Sequence, residues 1–339
     1  MMHQLPEGGR AQPTLEDVAR AAGVSRATVS RVVNGGTLVS PDTVLVVSEA
    51  IEALGYKPNR AARALVTNKA QAVAVVVTET DDRVFSDPFF PQAYHGALQA
   101  FRDMEVQVLL AMAQPGETPG QMTRYLHSGH VDGAIVVSHH GPEVARRLVS
   151  SRQPVVFVGD PEVPGLAYVD LDQHAASVAA TRHLIGRGAQ RIATITGPQD
   201  MRAGVQRLEG FVDAMADAGL APAAVVNGDF TVRGGEDAAH ELLATAPDVD
   251  AVFVASDLMA LGAVRALQAT GRRVPDDVAI VGFDDSSAAL QSSPQLTTMT
   301  NPASELTRLA GELLKQLLDG APSPEPVILP SRLVVRDSA

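Results

Sequence analysis

Arg26 and Arg31 stand among small methyl and hydroxyl side chains, Ala27, Thr28 and Ser30, in a stretch with no acidic residue from position 18 to position 41. A guanidinium is a fork of N–H donors that fits the O6 and N7 acceptors on the major-groove edge of guanine, a contact worth about 1–3 kcal/mol of discrimination. Ala27 can offer only a methyl to a thymine methyl, while Thr28 and Ser30 suit phosphate oxygens. Arg31 lies about one helical turn beyond Arg26. The chemistry on offer is recognition of duplex nucleic acid, provided one helix presents these side chains together.

The flanking residues supply that helix. Within residues 14–34, Leu15, Val18, Ala19 and Ala22 repeat at the three-or-four spacing of a buried helical face, and Val29, Val32 and Val33 do so again further on. Between the two stripes, Gly23 can take the positive φ of a sharp turn and Ser25 can accept from the free amides that open the second helix. The pattern predicts a helix-turn-helix whose second helix enters the major groove with its first turn at the base edges. A third helix is expected over residues 41–54, with Val47, Ile51 and Leu54 as its core stripe. Leu45 and Val46 cannot be buried along with them on so short a helix.

Residues 53–66 read ALGYKPNRAARALV. Together with residues 14–34, in this order and spacing, they resemble the headpiece and hinge of the LacI/GalR family of bacterial transcription regulators. The resemblance implies DNA contacts from Thr14, Ser25, Arg26, Ala27, Thr28, Ser30, Arg31, Asn34, Tyr56, Lys57, Asn59 and Arg60. It also implies a hinge over residues 59–66 that turns helical only on operator DNA, with Ala62 allowing two hinges to approach and Leu65 wedging open the central base step. A stretch this short is marginal as an isolated helix, so its folding can depend on DNA. The valines and leucine after Thr43 stand where the family usually has charged residues, which takes phosphate contacts away from the third helix.

Composition fits once it is split. The chain carries a net charge of -12, yet through residue 69 it has eight Lys/Arg against six Asp/Glu, leaving 19 against 33 in the remaining 270 residues. An acidic body repels phosphate and leaves the N-terminal segment as the point of attachment. There is no cysteine, so disulfides and cysteine-bound metals are excluded. With no signal-like opening and no apolar run near the roughly 20 residues that cross a bilayer, a cytoplasmic protein with no membrane partner is the simplest reading.

From residue 70 the pattern alternates between short apolar runs (73–77, 106–112, 134–137, 155–158, 192–196, 251–255, 278–282) and amphipathic helical stretches (91–104, 173–187, 206–218, 258–270, 304–318). The runs are expected to be buried parallel strands in α/β architecture. The fold class expected is a small all-α helix-turn-helix headpiece followed by an α/β periplasmic-binding-protein-like domain of two flavodoxin-like parallel-sheet lobes, the lobes and their three crossovers being what the resemblance implies. The expected boundaries are a disordered leader at 1–12, headpiece 13–58, hinge 59–69 and ligand-binding domain 70–339. Its N-lobe takes about 70–169 and 300–325, its C-lobe about 170–299 and 326–339.

Ligands at open parallel sheets sit beyond the carboxyl ends of strands. By match to the family's ArgxxGlyPhe and GlyPheAspAsp motifs, Arg207 and Asp284 are expected to bind ligand, with Phe230 stacking on it and Phe89, Phe90, Ser256 and Asn301 completing the set. A donor fork facing an acceptor suits vicinal hydroxyls. Ser256 and Gly159 depart from the family's usual residues, so no one sugar carries over. Catalytic and metal signals are weak: His139 and His140 are adjacent and would point apart in a strand, Ala244 interrupts the zinc-protease spacing after His240, and there is neither a GxSxG elbow nor a phosphate loop. The expectation is therefore no enzyme, no metal and no cofactor. It is a homodimeric, ligand-responsive repressor released from a pseudo-palindromic operator by a sugar-like inducer. A purine-like corepressor on the same fold is the alternative, and a small-molecule binder or enzyme without operator function a more distant one.

Overall fold

The computed structural model describes residues 13–33, 39–56, 69–112, 119–149 and 153–339. The chain forms two compact units, residues 1–70 and residues 71–339.

In the first unit, α1 (Leu15–Ala22) opens on a capping box in which Thr14 accepts from the Asp17 amide and the Asp17 carboxylate accepts from the Thr14 amide, and Gly23 closes it at φ 66°. Helix α2 (Arg26–Val33) is opened by Ser25, whose Oγ accepts from the Thr28 amide at 3.1 Å. Helix α3 (Pro41–Leu54) is capped by Ser40 and ended by Gly55. Val18, Val29 and Val47 are fully buried at the centre, ringed by Ala19, Ala22, Ala50 and Tyr56. Leu54 departs from the expected stripe and is 38% exposed, because α3 packs through Val47 and Ala50, three residues apart, and both are buried. Val44, Leu45 and Val46 face outward.

The second unit holds two six-stranded sheets. The first has β1 (Ala72–Val77), β2 (Gln107–Met112), β3 (Gly133–Val137), β4 (Val155–Val158), β5 (Ala167–Leu171) and β11 (Val327–Leu329), in the order β11-β5-β4-β3-β1-β2. The second has β6 (Ile192–Thr196), β7 (Val225–Asn227), β8 (Ala251–Val254), β9 (Ala279–Asp284), β10 (Thr297–Thr300) and β12 (Leu333–Val334), in the order β12-β10-β9-β8-β6-β7. All pairings are parallel except β10 with β12. The chain crosses between sheets after β5, after β10 and after β11. Because β11 pairs with β5, residues 327–329 belong to the first lobe, a few residues past the boundary expected at 326.

Continuous apolar runs become strands covered on both faces: every residue of β1, β3, β4 and β8 is buried. Strand β2 is the correction. Leu109 and Leu110 are 37% and 39% exposed, because β2 is the outermost strand of its sheet. Helices Phe89–Phe101 and Ala303–Leu318 cross closely enough that a Cβ at Gly96 would lie 2.0 Å from the Ser304 carbonyl. That contact ties the segment after β1 to the chain's return from the second sheet.

Candidate functional site: ligand cleft and nucleic-acid interface

The carboxyl ends of both sheets open onto one cavity. On the second-lobe wall, helix Arg202–Asp217 brings in Arg207 with its side chain 5% exposed. Its Nη1 donates to the Ala255 carbonyl at 2.6 Å and its Nε to Gln173 Oε1 at 2.9 Å, while the guanidinium lies 3.6 Å from the centre of the Phe283 ring. The Asp284 Oδ1 stands 3.8 Å from Nη1 and accepts from Asn301 Nδ2 at 3.0 Å. Behind it, the fully buried Asp257 accepts from the Ser286 amide and the Thr298 hydroxyl. Burial raises both carboxyls, Asp257 to about 8 with Asp284 adding repulsion, and Asp284 to about 6 with Arg207 opposing the rise. Near neutral pH one negative charge of the pair faces Arg207, whose own value burial lowers.

Phe230 takes a left-handed backbone (φ 65°), and its ring lies over Gly197, where an added Cβ would be 2.2 Å from Cζ. The Arg207 and Arg83 guanidiniums lie 5.7 and 5.3 Å from its centre. Ser256 is buried, caps helix Asp257–Ala269 and lines the cavity. On the first-lobe wall, Phe89 and Phe90 meet edge to face at 5.4 Å, and both line the cavity although Phe90 also belongs to the core. All seven residues expected to hold ligand thus line one cavity.

Sequence reasoning missed Glu79, Arg83, Asp170 and Gln173. Arg83, on the short helix Asp81–Ser86, pairs with Glu79 at 2.7 Å and reaches over the rings of Phe90 and Phe230. Bonds from His140, Arg83 and Ser138 outweigh burial and hold Glu79 below the usual carboxylate range. Asp170 accepts from Gln173 Nε2, which fixes the amide whose oxygen holds Arg207. No local pattern in the sequence singled out these four. Arg83 Nε, His139 Nδ1 and Asn301 Oδ1 line or border this cavity as buried polar atoms without a hydrogen-bond partner among the described residues. Buried polar atoms are nearly always bonded, so these three suit hydroxyls brought by a ligand. Among the described residues no group of three or more His, Cys, Asp or Glu could hold a metal.

On the headpiece, Arg26, Ala27 and Arg31 are exposed on α2, with Thr28 and Ser30 half-buried. Arg26 Nε pairs with Glu16 of α1 at 2.9 Å. Ser25 and Thr14 spend their oxygens on helix caps. Tyr56 is 7% exposed and packs in the headpiece core. Asn34, Lys57, Asn59, Arg60, Ala62 and Leu65 lie outside the described residues.

A helix-turn-helix unit joined to a two-sheet, single-cleft body defines a ligand-regulated DNA-binding protein. The model of the lacI family of bacterial regulatory proteins matches residues 14–59, and that of the periplasmic binding protein-like domain matches residues 181–339. The HTH-type transcriptional regulator CelR of Thermobifida fusca is 45% identical over 337 residues, 97% of this chain and 99% of that protein. A structure of a CelR–cellobiose complex superposes with a TM-score of 0.77 at 42% identity, covering 97% of this chain and all of the other. The Lac repressor dimer bound to operator and the anti-inducer ONPF gives 0.87 at 27% identity, over 97% and 99%. The chain belongs to the LacI family of transcription regulators.

Proposed function

We propose that this chain is a cytoplasmic, homodimeric repressor that leaves a pseudo-palindromic operator when a neutral sugar of the cellobiose type enters the cleft, and that it binds this sugar without transforming it. The observation that carries the reading is the Arg207–Asp284–Asn301 cluster, in which a fixed donor and a fixed acceptor face a cavity edged by Phe230, Phe89 and Phe90. Vicinal hydroxyls meet such a pair directly, and the apolar face of a pyranose suits the rings. Cellobiose is the compound named with the related CelR structure. Two-fold pairing follows from the headpiece, since one recognition helix reads only a half-site. The exposed edge strand β2 offers the first lobe a surface to pair through.

The domain limits expected from the sequence, with the second return of the chain moved past β11, and the site residues above belong to this proposal. Fluorescence anisotropy with fragments flanking its own gene should give sequence-specific binding at moderate ionic strength, relieved by cellobiose. Calorimetry should give sugar binding that Asp284→Ala removes, and mass spectrometry should recover the sugar unchanged. Absence of any preferred duplex, or indifference of the DNA complex to every sugar tried, overturns the proposal.

A further inference from the structure

Strand β3 ends at Val137, and the turn that follows, with Ser138 at φ 58° and Gly141 at φ 59°, sends two adjacent histidines to different places. His139 turns inward, 6% exposed, with its ring 5.4 Å from Phe157 and nearly perpendicular to it. His140 stays at the rim. Its Nε2 lies 3.1 Å from Glu79 Oε1, at the end of β1 in the same lobe, and its Nδ1 lies 2.9 Å from Asp200 Oδ2, on the loop after β6 in the other lobe. Next to it, the Gly141 amide donates to the Asp200 carbonyl at 2.6 Å.

An ionised carboxylate can only accept a hydrogen bond. With one on each ring nitrogen, both nitrogens must donate, and the ring is an imidazolium. We propose that His140 is a positioning residue that latches the two walls of the cleft together, each N–H holding a carboxylate of a different lobe, so that ligand is gripped more tightly when this ring is cationic. The effect on affinity rests on the sugar-sensing reading above; the latch itself does not.

The surroundings favour that charge. Glu79 is itself fixed by Arg83 Nη1 at 2.7 Å and by the Ser138 hydroxyl at 2.5 Å, so it is a preformed acceptor. The charged groups facing His140 are Glu79 from β1, Asp200 from the loop after β6, Arg83 behind Glu79 from the helix Asp81–Ser86, and Arg202 on the same rim as Asp200. The Glu79 bond holds His140 above the ordinary imidazole value against the pull of burial, whereas burial lowers His139. The sign is that of a raised base: closure is favoured at low pH and weakens as pH rises through the value of His140 in the folded protein.

The test uses full-length, histidine-labelled protein. Imidazole 15N spectra, with His140 assigned by its loss in His140→Gln, should show both ring nitrogens protonated at pH 6.5 and a midpoint above that of an exposed histidine. Asp200→Asn, at a largely exposed site that spares the fold, should lower that midpoint. Calorimetry with cellobiose should show affinity falling between pH 6 and 8.5 by about fivefold more in the wild type than in His140→Gln, a change of under one pH unit in linkage. The comparison subtracts the titration of Asp284 and Asp257, which both proteins share. An ordinary His140 midpoint, or one that Asp200→Asn leaves in place, overturns the latch. Failure to bind cellobiose at either pH overturns the sugar reading, and the 15N titration then decides the latch alone.

Discussion

Arg26 in the headpiece and Arg207 in the cleft are the same side chain under opposite conditions. Arg26 is 70% exposed and holds one carboxylate, that of Glu16, which is itself 55% exposed. Arg207 is nearly sealed from water, bonded to a side-chain amide and a main-chain carbonyl, laid on a phenylalanine ring and set near a half-buried aspartate. An exposed ion pair contributes little and is readily exchanged, which suits a residue that must leave its partner for a polyanion. A buried guanidinium cannot be exchanged, because removing one partner strands the other out of water. The headpiece therefore carries its recognition chemistry loosely, and the cleft carries it as part of the fold.

The largest expected effect breaks the buried side. Arg207→Met should destabilise the body by about 3–5 kcal/mol, the range for removing one partner of a buried pair. Chemical denaturation should show this, while Arg26→Met should leave the denaturation midpoint nearly unmoved. Comparable midpoints for the two variants would erase the distinction. Asp284→Asn comes next. It keeps the size of the side chain but gives up the charged acceptor, so cellobiose affinity should fall about 100-fold, near the upper end for hydrogen bonds to charged groups. Operator affinity without sugar should stay the same, as anisotropy can check.

Arg26→Ala tests the exposed side. Operator affinity should fall by about 1–3 kcal/mol with relaxed preference at a single base pair, read from binding-site selection. A uniform loss across all sequences would make Arg26 a phosphate contact. Another effect appears only as pH is varied. Asp257 is raised to about 8 in the folded chain against roughly 3.9 unfolded. The native state therefore holds the extra proton between those values. The contribution of Asp257 to stability is full below about pH 4 and declines toward pH 8, by at most about 1.4 kcal/mol per pH unit for one proton. Asp257→Asn should flatten that decline in pH-dependent melting, leaving the smaller slope of the same sign from Asp284.

The two regions also differ in how far the sequence revealed them. The headpiece was legible because its chemistry is local: Ser25, Arg26, Ala27 and Thr28 are neighbours in sequence, and caps such as Thr14 and turns such as Gly23 act within a few residues. The burial of Tyr56 was not legible, because exposure depends on how three helices close, which no local pattern records. In the body the covered strands announced themselves as apolar runs, whereas β5, β7 and β10, less uniformly apolar or very short, did not. Arg207 and Asp284 were found by motif. Their supports, Gln173, Asp170 and Asp257, were not, since each is joined to them only through contacts spanning more than 25 residues. The rim cluster of Glu79, Arg83, His140 and Asp200 spans two lobes and had no sequence signature.

The smallest prediction asks whether the looseness of the headpiece is itself functional. Glu16 holds Arg26 at 2.9 Å from the neighbouring helix. If that pair is only a resting place, Glu16→Gln frees the guanidinium and removes a negative charge near the phosphates, so operator binding should tighten by about two- to threefold with stability unchanged within about 0.5 kcal/mol. The gain should shrink as salt screens the pair. Weaker binding would carry the opposite lesson: Glu16 would be aiming Arg26 at its base, a preorganised contact built at the surface, and the contrast between an exchangeable arginine and a fixed one would narrow to a difference in exposure alone.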